Sequence, residues 1–185
     1  MGYVVDVVDM TDGLLSASVI HELERKEPGT TIIQVPAILG GLKYMVDAIL
    51  KRTAYHEMNV LRIWGHGAKG IQNISANRND GGWITGGSLD IRHFELSASL
   101  MAQLRPKFYS CKSRIELRGC RSGEGEEGKS LMLKLARTVG VRVMAAWDDQ
   151  AGLEWINDVY QADPTGKFEV AYYTASKIWR DPHMK

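Results

Sequence analysis

Two hydrophobic rhythms alternate along the chain. Residues 3–8 form a β-branched run broken only by Asp6. Thr11 and Asp12 then offer a helix start, and Leu14, Leu15, Val19, Ile20 and Leu23 recur at helical spacing up to Pro28-Gly29. The pattern repeats: a short apolar run at 31–35 precedes Leu42, Met45, Val46, Ile49 and Leu50, the i, i+3, i+4, i+7, i+8 stripe of an amphipathic helix. A third strand at 60–64 runs straight into Gly65-His66-Gly67. From 68 to 90 the rhythm fails, with Ile71, Ile74, Trp83 and Ile84 set among Gly, Asn and Asp. That punctuation predicts a hairpin projecting from the main sheet.

Beyond it, Leu100, Leu104 and Phe108 mark a helix interrupted near Pro106, and 113–117 (SRIEL) forms a fourth strand ending at Arg118-Gly119-Cys120. A glycine-rich loop leads into a helix carrying Leu131, Met132, Leu135, Ala136 and Val139 on one face, with Gly140 as its stop. A fifth strand at 141–146 ends before Asp148 and Asp149, the segment around Trp155 carries no clear period, and 168–173 (FEVAYY) reads as the last strand. Strands alternating with helices predict an α/β fold, a three-layer α/β/α sandwich with a mostly parallel central sheet, right-handed crossovers and an inserted β-hairpin. No repeat or linker composition divides the chain, so 1–185 reads as a single domain. Reactive groups in such sheets gather at the carboxyl ends of the strands. The tips to search are therefore 65–68, 119–125 and 147–150.

Composition narrows the function more than the fold. The chain has 185 residues, with 23 Lys+Arg against 22 Asp+Glu. A net charge of +1 supplies no field to hold a nucleic-acid backbone or an anionic membrane, so neither is an expected partner. The two cysteines are too few for a disulfide framework or a four-cysteine zinc site, and no metal or other cofactor is expected. Most apolar runs are broken by charge well short of the roughly 20 residues that span a bilayer. The start, MGYVVDVVDM, lacks the basic and apolar regions of a secretion signal. The expectation is a cytoplasmic protein in a reducing compartment.

One loop advertises two chemistries. Residues 123–130 read GEGEEGKS and satisfy the phosphate-loop pattern G-x-x-x-x-G-K-[ST] between a strand and a helix. A phosphate loop points backbone N–H groups at a polyanion, however, and this one carries Glu124, Glu126 and Glu127, which repel it. The plain alternative is an acidic turn whose carboxylates favour the positive end of the following helix. The second chemistry lies just upstream. His66 ends the third strand, Cys120 ends the fourth, and they stand 54 residues apart, close to the spacing of about 50 between a caspase-type histidine and its cysteine. If the two strands are neighbours, their ends lie about 5 Å apart and an imidazole can face a thiol. Cys120 would be the nucleophile and His66 the proton donor, with the N–H groups of Gly67 and Cys120 receiving the oxyanion. Arg118 and Arg121 would lower the thiol pKa if directed toward it. Each residue also has a plain reading, a small buried cysteine and a polar residue in a tight turn.

The runs LRIWGHGAKG, IELRGCRSGEGEEGKSLMLKLARTVG and VRVMAAWDD resemble the caspase-like fold of clan CD cysteine peptidases, nearest to bacterial CHAT-type and adhesin-associated caspase-like domains. The resemblance implies His66 and Cys120 as a catalytic dyad, GEGEEGKS as a connecting loop, and a protein or peptide substrate. Q-A-C-[RQG]-G is matched only as R-G-C-R-S, which places the chain outside the caspases themselves. Fold alone does not guarantee activity. The leading expectation is thus a cysteine endopeptidase or self-processing domain. A catalytically silent interaction module and a nucleotide-binding protein stand behind it. Asp148 and Asp149 on the same rim would receive a basic substrate side chain, whereas Arg121 or Arg118 would receive an acidic one; the acids lean the reading to a basic residue. His21, His56 and His93 have no matching partner, Cys111 reads as incidental, and Trp64, Trp83 and Trp147 read as packing around the sheet ends.

Overall fold

A computed structural model describes residues 3–75, 87–150, 153–155 and 158–172. The expected alternation is present: β1 (Tyr3–Asp9), α1 (Gly13–Lys26), β2 (Thr31–Val35), α2 (Gly41–Arg52) and β3 (Met58–Trp64) follow in order. After an insertion come α3 (Phe94–Ala102), β7 (Arg114–Leu117), α4 (Gly125–Val139), β8 (Arg142–Ala146), β9 (Val159–Ala162) and β10 (Phe168–Tyr172). These seven strands form one sheet in the order β10-β9-β8-β7-β3-β1-β2. The five strands from β2 to β8 are parallel, while β9 and β10 join antiparallel.

The order explains which face each helix covers. The chain steps outward from β1 to β2, then reverses across β1 to reach β3, β7 and β8. With right-handed crossovers, that reversal moves the connecting helices to the opposite face. Accordingly Val8 and Trp64 pack with Val19 and Leu23 of α1. The alternate positions Val5, Val7 and Ile63 share a cluster with Met45 of α2, Met101 of α3 and Leu131 of α4. The helix ends follow local chemistry: the Asp12 carboxylate accepts the Leu15 N–H to start α1, and Gly140 closes α4 at φ 79°, where a side chain would be strained.

Several elements differ from expectation. The described residues of the 68–90 insertion pack against the core rather than project from the sheet. They form a second, three-stranded antiparallel sheet of β4 (Gly67–Ala68), β5 (Ile71–Asn73) and β6 (Ser88–Asp90), and Ile74 and Leu89 are buried in the main core. Trp83 and Ile84 lie outside the described residues. The helix before Pro106 is α3, so Leu104 and Phe108 are buried beyond it in a 3-10 turn and its flanks. Leu14 is 88% exposed, because the stripe that faces the sheet runs through Ser16, Val19 and Leu23. The unassigned stretch after Trp155 contains β9. Among the described residues no helix is long and apolar enough to cross a membrane. Within that set, no group of three or more His, Cys, Asp or Glu side chains is placed to hold a metal ion.

Candidate active site

The reversal of chain direction lies between β1 and β3, and in doubly wound sheets ligands bind at the carboxyl ends of the strands beside such a point. His66 and Cys120 both stand there. β3 and β7 are direct parallel neighbours with Ile63 opposite Leu117, so each residue lies three positions beyond a paired residue. The adjoining glycines bring the two tips into contact. A Cβ on Gly119 would sit 2.9 Å from the Gly67 Cα, and a Cβ on Gly67 would sit 2.4 Å from the Cys120 carbonyl oxygen. Only two residues without side chains let these backbones meet.

Asp12, read in the sequence only as a helix start, also holds His66: its Oδ2 lies 3.1 Å from the imidazole Nε2. A carboxylate only accepts, so in the neutral ring Nε2 carries the proton and Nδ1 the lone pair. The Leu15 N–H, then His66, draw the Asp12 carboxyl below its ordinary value. Asp12 is therefore ionised at neutral pH and fixes the ring by charge as well as geometry. Asn accepts at a helix start nearly as well as Asp. Asp12→Asn is expected to leave the thermal midpoint almost unmoved while slowing any reaction that uses His66 by about 10²-fold or more. Differential scanning fluorimetry beside a Cys120 labelling assay separates the two effects, and a parallel loss of stability would assign Asp12 to the cap alone.

Cys120 is half-buried in the turn that follows β7. The Gln150 N–H donates to its Sγ at 3.3 Å, with the Gln150 carbonyl 3.5 Å away. Among the three N–H groups of 119–121, that of Gly119 goes to Gln72 Oε1 at 2.8 Å and that of Arg121 to the Asp148 carbonyl at 3.1 Å. The Cys120 N–H meets no acceptor among the described residues. On the histidine side, the Asn73 N–H donates to the His66 carbonyl at 2.9 Å, and Gly67 stands opposite Gln72. The alternation of an antiparallel ladder then turns the Gly67 N–H away from β5. The two N–H groups expected to receive an oxyanion are thus not the ones committed to the turns around them.

The arginines do not act as expected. Arg118 leaves the strand on the opposite face, paired with Glu116 at 2.6 Å, with its guanidinium carbon 3.8 Å from the Trp155 ring centroid and 5.0 Å from that of Trp64. Residues 114, 116 and 118 alternate away from the face that Ile115 and Leu117 share, and the Arg118 guanidinium is spent there on Glu116 and on the Leu153 carbonyl, to which its Nη1 donates at 3.1 Å. Arg121 is exposed, adopts φ 57°, and pairs with Glu124, which also binds Lys69 at 2.9 Å. These two cations hold the Glu124 carboxyl down to about 2.

Acids stand at the neighbouring strand ends. Asp148 and Asp149 are exposed at the end of β8, beside the cysteine turn. Asp9, at the end of β1, is 97% buried because its exposure is only 3%. Its Oδ1 accepts the Thr11 N–H at 2.9 Å, while its buried Oδ2 has no hydrogen-bond partner. Burial pushes the Asp9 carboxyl up, against the Thr11 bond and the neighbouring His66. In the 123–130 loop, N–H groups are spent within the chain: Gly123 on the Ala146 carbonyl, Glu124 on that of Arg121, and Gly128 on that of Glu124. Lys129 lies 3.5 Å from Glu126 rather than over the loop. That geometry weighs against a phosphate cradle. The sequence reading missed Gln72, Asp9 and the orienting role of Asp12. No family model, curated protein or solved structure matches the chain.

Proposed function

We propose that the chain is a cysteine endopeptidase of the three-layer caspase-like type, with Cys120 as nucleophile and His66 as acid and base, acting after lysine or arginine. The Gly67–Gly119 backbone contact supports this reading, because it brings the turn that carries His66 against the turn that carries Cys120. His66 takes the thiol proton of Cys120 as the sulfur attacks the scissile carbonyl carbon, and the carbonyl π pair moves onto the oxygen, which the N–H groups of Gly67 and Cys120 receive. Collapse breaks the C–N bond, and the leaving amine takes its proton from His66. A water deprotonated by His66 then hydrolyses the thioester and frees the sulfur.

The acids argue for the substrate class. A buried carboxylate oxygen without a donor carries a desolvation cost that an ammonium or guanidinium brought to it relieves, and the Asp9 Oδ2, beside Gly65 at the end of β3, is such an atom. Asp148 and Asp149 extend the same sign along the rim. A peptide chloromethyl ketone ending in Lys is expected to label Cys120, and Cys120→Ala and His66→Ala are expected to abolish or nearly abolish labelling, read by intact mass. Labelling that survives Cys120→Ala sinks the assignment. A folded protein inert to every electrophile leaves the interaction module in its place.

A further inference from the structure

Gln72 stands fully buried on β5, outside the two strand tips, and reaches the cysteine turn with its amide oxygen. Its Oε1 accepts the Gly119 N–H at 2.8 Å and lies 3.2 Å from the Ser122 hydroxyl, while its Nε2 donates to the Asn73 carbonyl at 3.1 Å. A carbonyl acceptor is required by Gly119 and an N–H donor by Asn73, so these bonds assign the amide orientation. Ser122, itself buried, returns to the Gly119 carbonyl at 3.1 Å. On the far side the Arg121 N–H is tied to Asp148. The Cys120 N–H lies between two tied neighbours.

We propose that Gln72 is a positioning residue for the oxyanion site: it clamps the Gly119 peptide so that the Cys120 N–H faces the cleft before substrate arrives. The inference rests on the peptidase reading and adds to it that the small inserted sheet belongs to the catalytic apparatus. The inserted sheet supplies the clamp because β4 continues directly from His66, so β5 pairs beside the histidine and extends Gln72 under the cysteine. One side chain thereby couples the two halves of the dyad through backbone atoms. Preorganised donors of this kind act only on reactions that develop charge on a carbonyl oxygen.

That restriction supplies the test. Gln72→Met keeps the volume and removes the acceptor, while Gln72→Glu, protonated in this buried place, keeps an acceptor for Gly119 and a donor for Asn73. Each variant would be measured for kcat/KM on a Lys peptide ester and for alkylation of Cys120 by iodoacetamide, which displaces iodide without forming an oxyanion. Gln72→Met is expected to lower ester turnover about 10²-fold with alkylation little changed, and Gln72→Glu to restore most of the loss. Equal losses in both reactions, or none in either, overturn the proposal. A wild-type protein that is alkylated yet inert to the ester overturns the peptidase reading instead. Should Gln72→Met not fold, amide exchange in the wild type decides: the Gly119 N–H is expected to be protected in the free protein, and the Cys120 N–H only when a Lys peptide aldehyde is bound. A freely exchanging Gly119 amide overturns the clamp.

Discussion

Glu116→Gln is expected to cost the protein about 3–5 kcal/mol, the loss usual when one partner of a buried ion pair is removed, against a total stability of about 5–15 kcal/mol. Glu116 and Arg118 side chains are 2% and 9% exposed, with the Arg118 Nη2 2.6 Å and its Nε 2.9 Å from Glu116 Oε2. Asp6, Arg62 and Glu116 stand opposite one another across β1, β3 and β7, so a row of alternating charge crosses the sheet under α1. Burial alone would push the Glu116 carboxyl up, but Arg118 and Arg114 overcome it and hold the group below its ordinary value. Burial draws Arg118 down despite Glu116. The pair also fixes where Arg118 lies, between Trp64 and Trp155. Replacing both partners, as Glu116→Leu with Arg118→Leu, is expected to recover much of the loss. Because the folded carboxyl titrates below its unfolded value, its contribution is complete above about pH 4.5 and disappears as pH falls through the depressed value. Urea unfolding of the three proteins at pH 7 and pH 4 checks both statements. A Glu116→Gln midpoint equal to the wild type would show that the row is not energetically coupled.

The same row shows what a sequence can and cannot carry. Period and caps located β1, α1, β2, α2, β3, β7, α4, β8 and β10, because each buries one stripe or run on the shared sheet and ends in a residue with a local reason to end it. The condition on which a facing imidazole and thiol depended, that the third and fourth core strands adjoin, is met by β3 and β7. Asp6 interrupts an apolar run and looks like a flaw until Arg62, the Trp64 indole and Thr30 are seen to meet it, all more than 20 residues away. Long-range pairing of this kind leaves no periodic trace. The insertion was legible as a hairpin, which β4 and β5 form, but its third strand and its packing on the core were not: strands of two or three residues are too short to show alternation, and their burial depends on the core they reach. β9 had a usable signal, since Asp163-Pro164-Thr165-Gly166 separates it from β10. There the Asp163 carboxylate accepts the Thr165 and Lys167 N–H groups, and Gly166 takes φ 100°. Of the candidate site, His66, Gly67, Cys120, Asp148 and Asp149 were legible because they end strands. Arg121 was legible as a rim residue, but its pairing with Glu124 was not. Gln72 and Asp9 were illegible, since nothing local distinguishes a glutamine in a short strand, or an acid at a strand end, from a solvated one.

Gly67→Ala is expected to remove the site while leaving the fold. Its Cβ would stand 2.4 Å from the Cys120 carbonyl oxygen, 2.5 Å from the Ser122 Oγ and 2.8 Å from the Gly119 carbonyl carbon. Two of the three are backbone atoms, so no side-chain rotation relieves the clash and the tips of β3 and β7 must part. Overpacking of this size costs about 1–3 kcal/mol, which a protein of ordinary stability survives. Reaction geometry is less forgiving, because a displacement near 1 Å lowers a rate by about 10²-fold. The displacement here acts on the histidine and cysteine turns together. Gly13→Ala is the matching control: nothing lies within 4 Å of its Cβ, it begins α1, and it is expected to leave labelling unchanged or to stabilise slightly. Rates of Cys120 labelling by the Lys chloromethyl ketone, with circular dichroism to confirm folding, compare the two. A Gly67→Ala protein that labels within a few-fold of wild type would mean that the glycine contact does not hold the dyad together, and the peptidase reading would lose the observation that carries it.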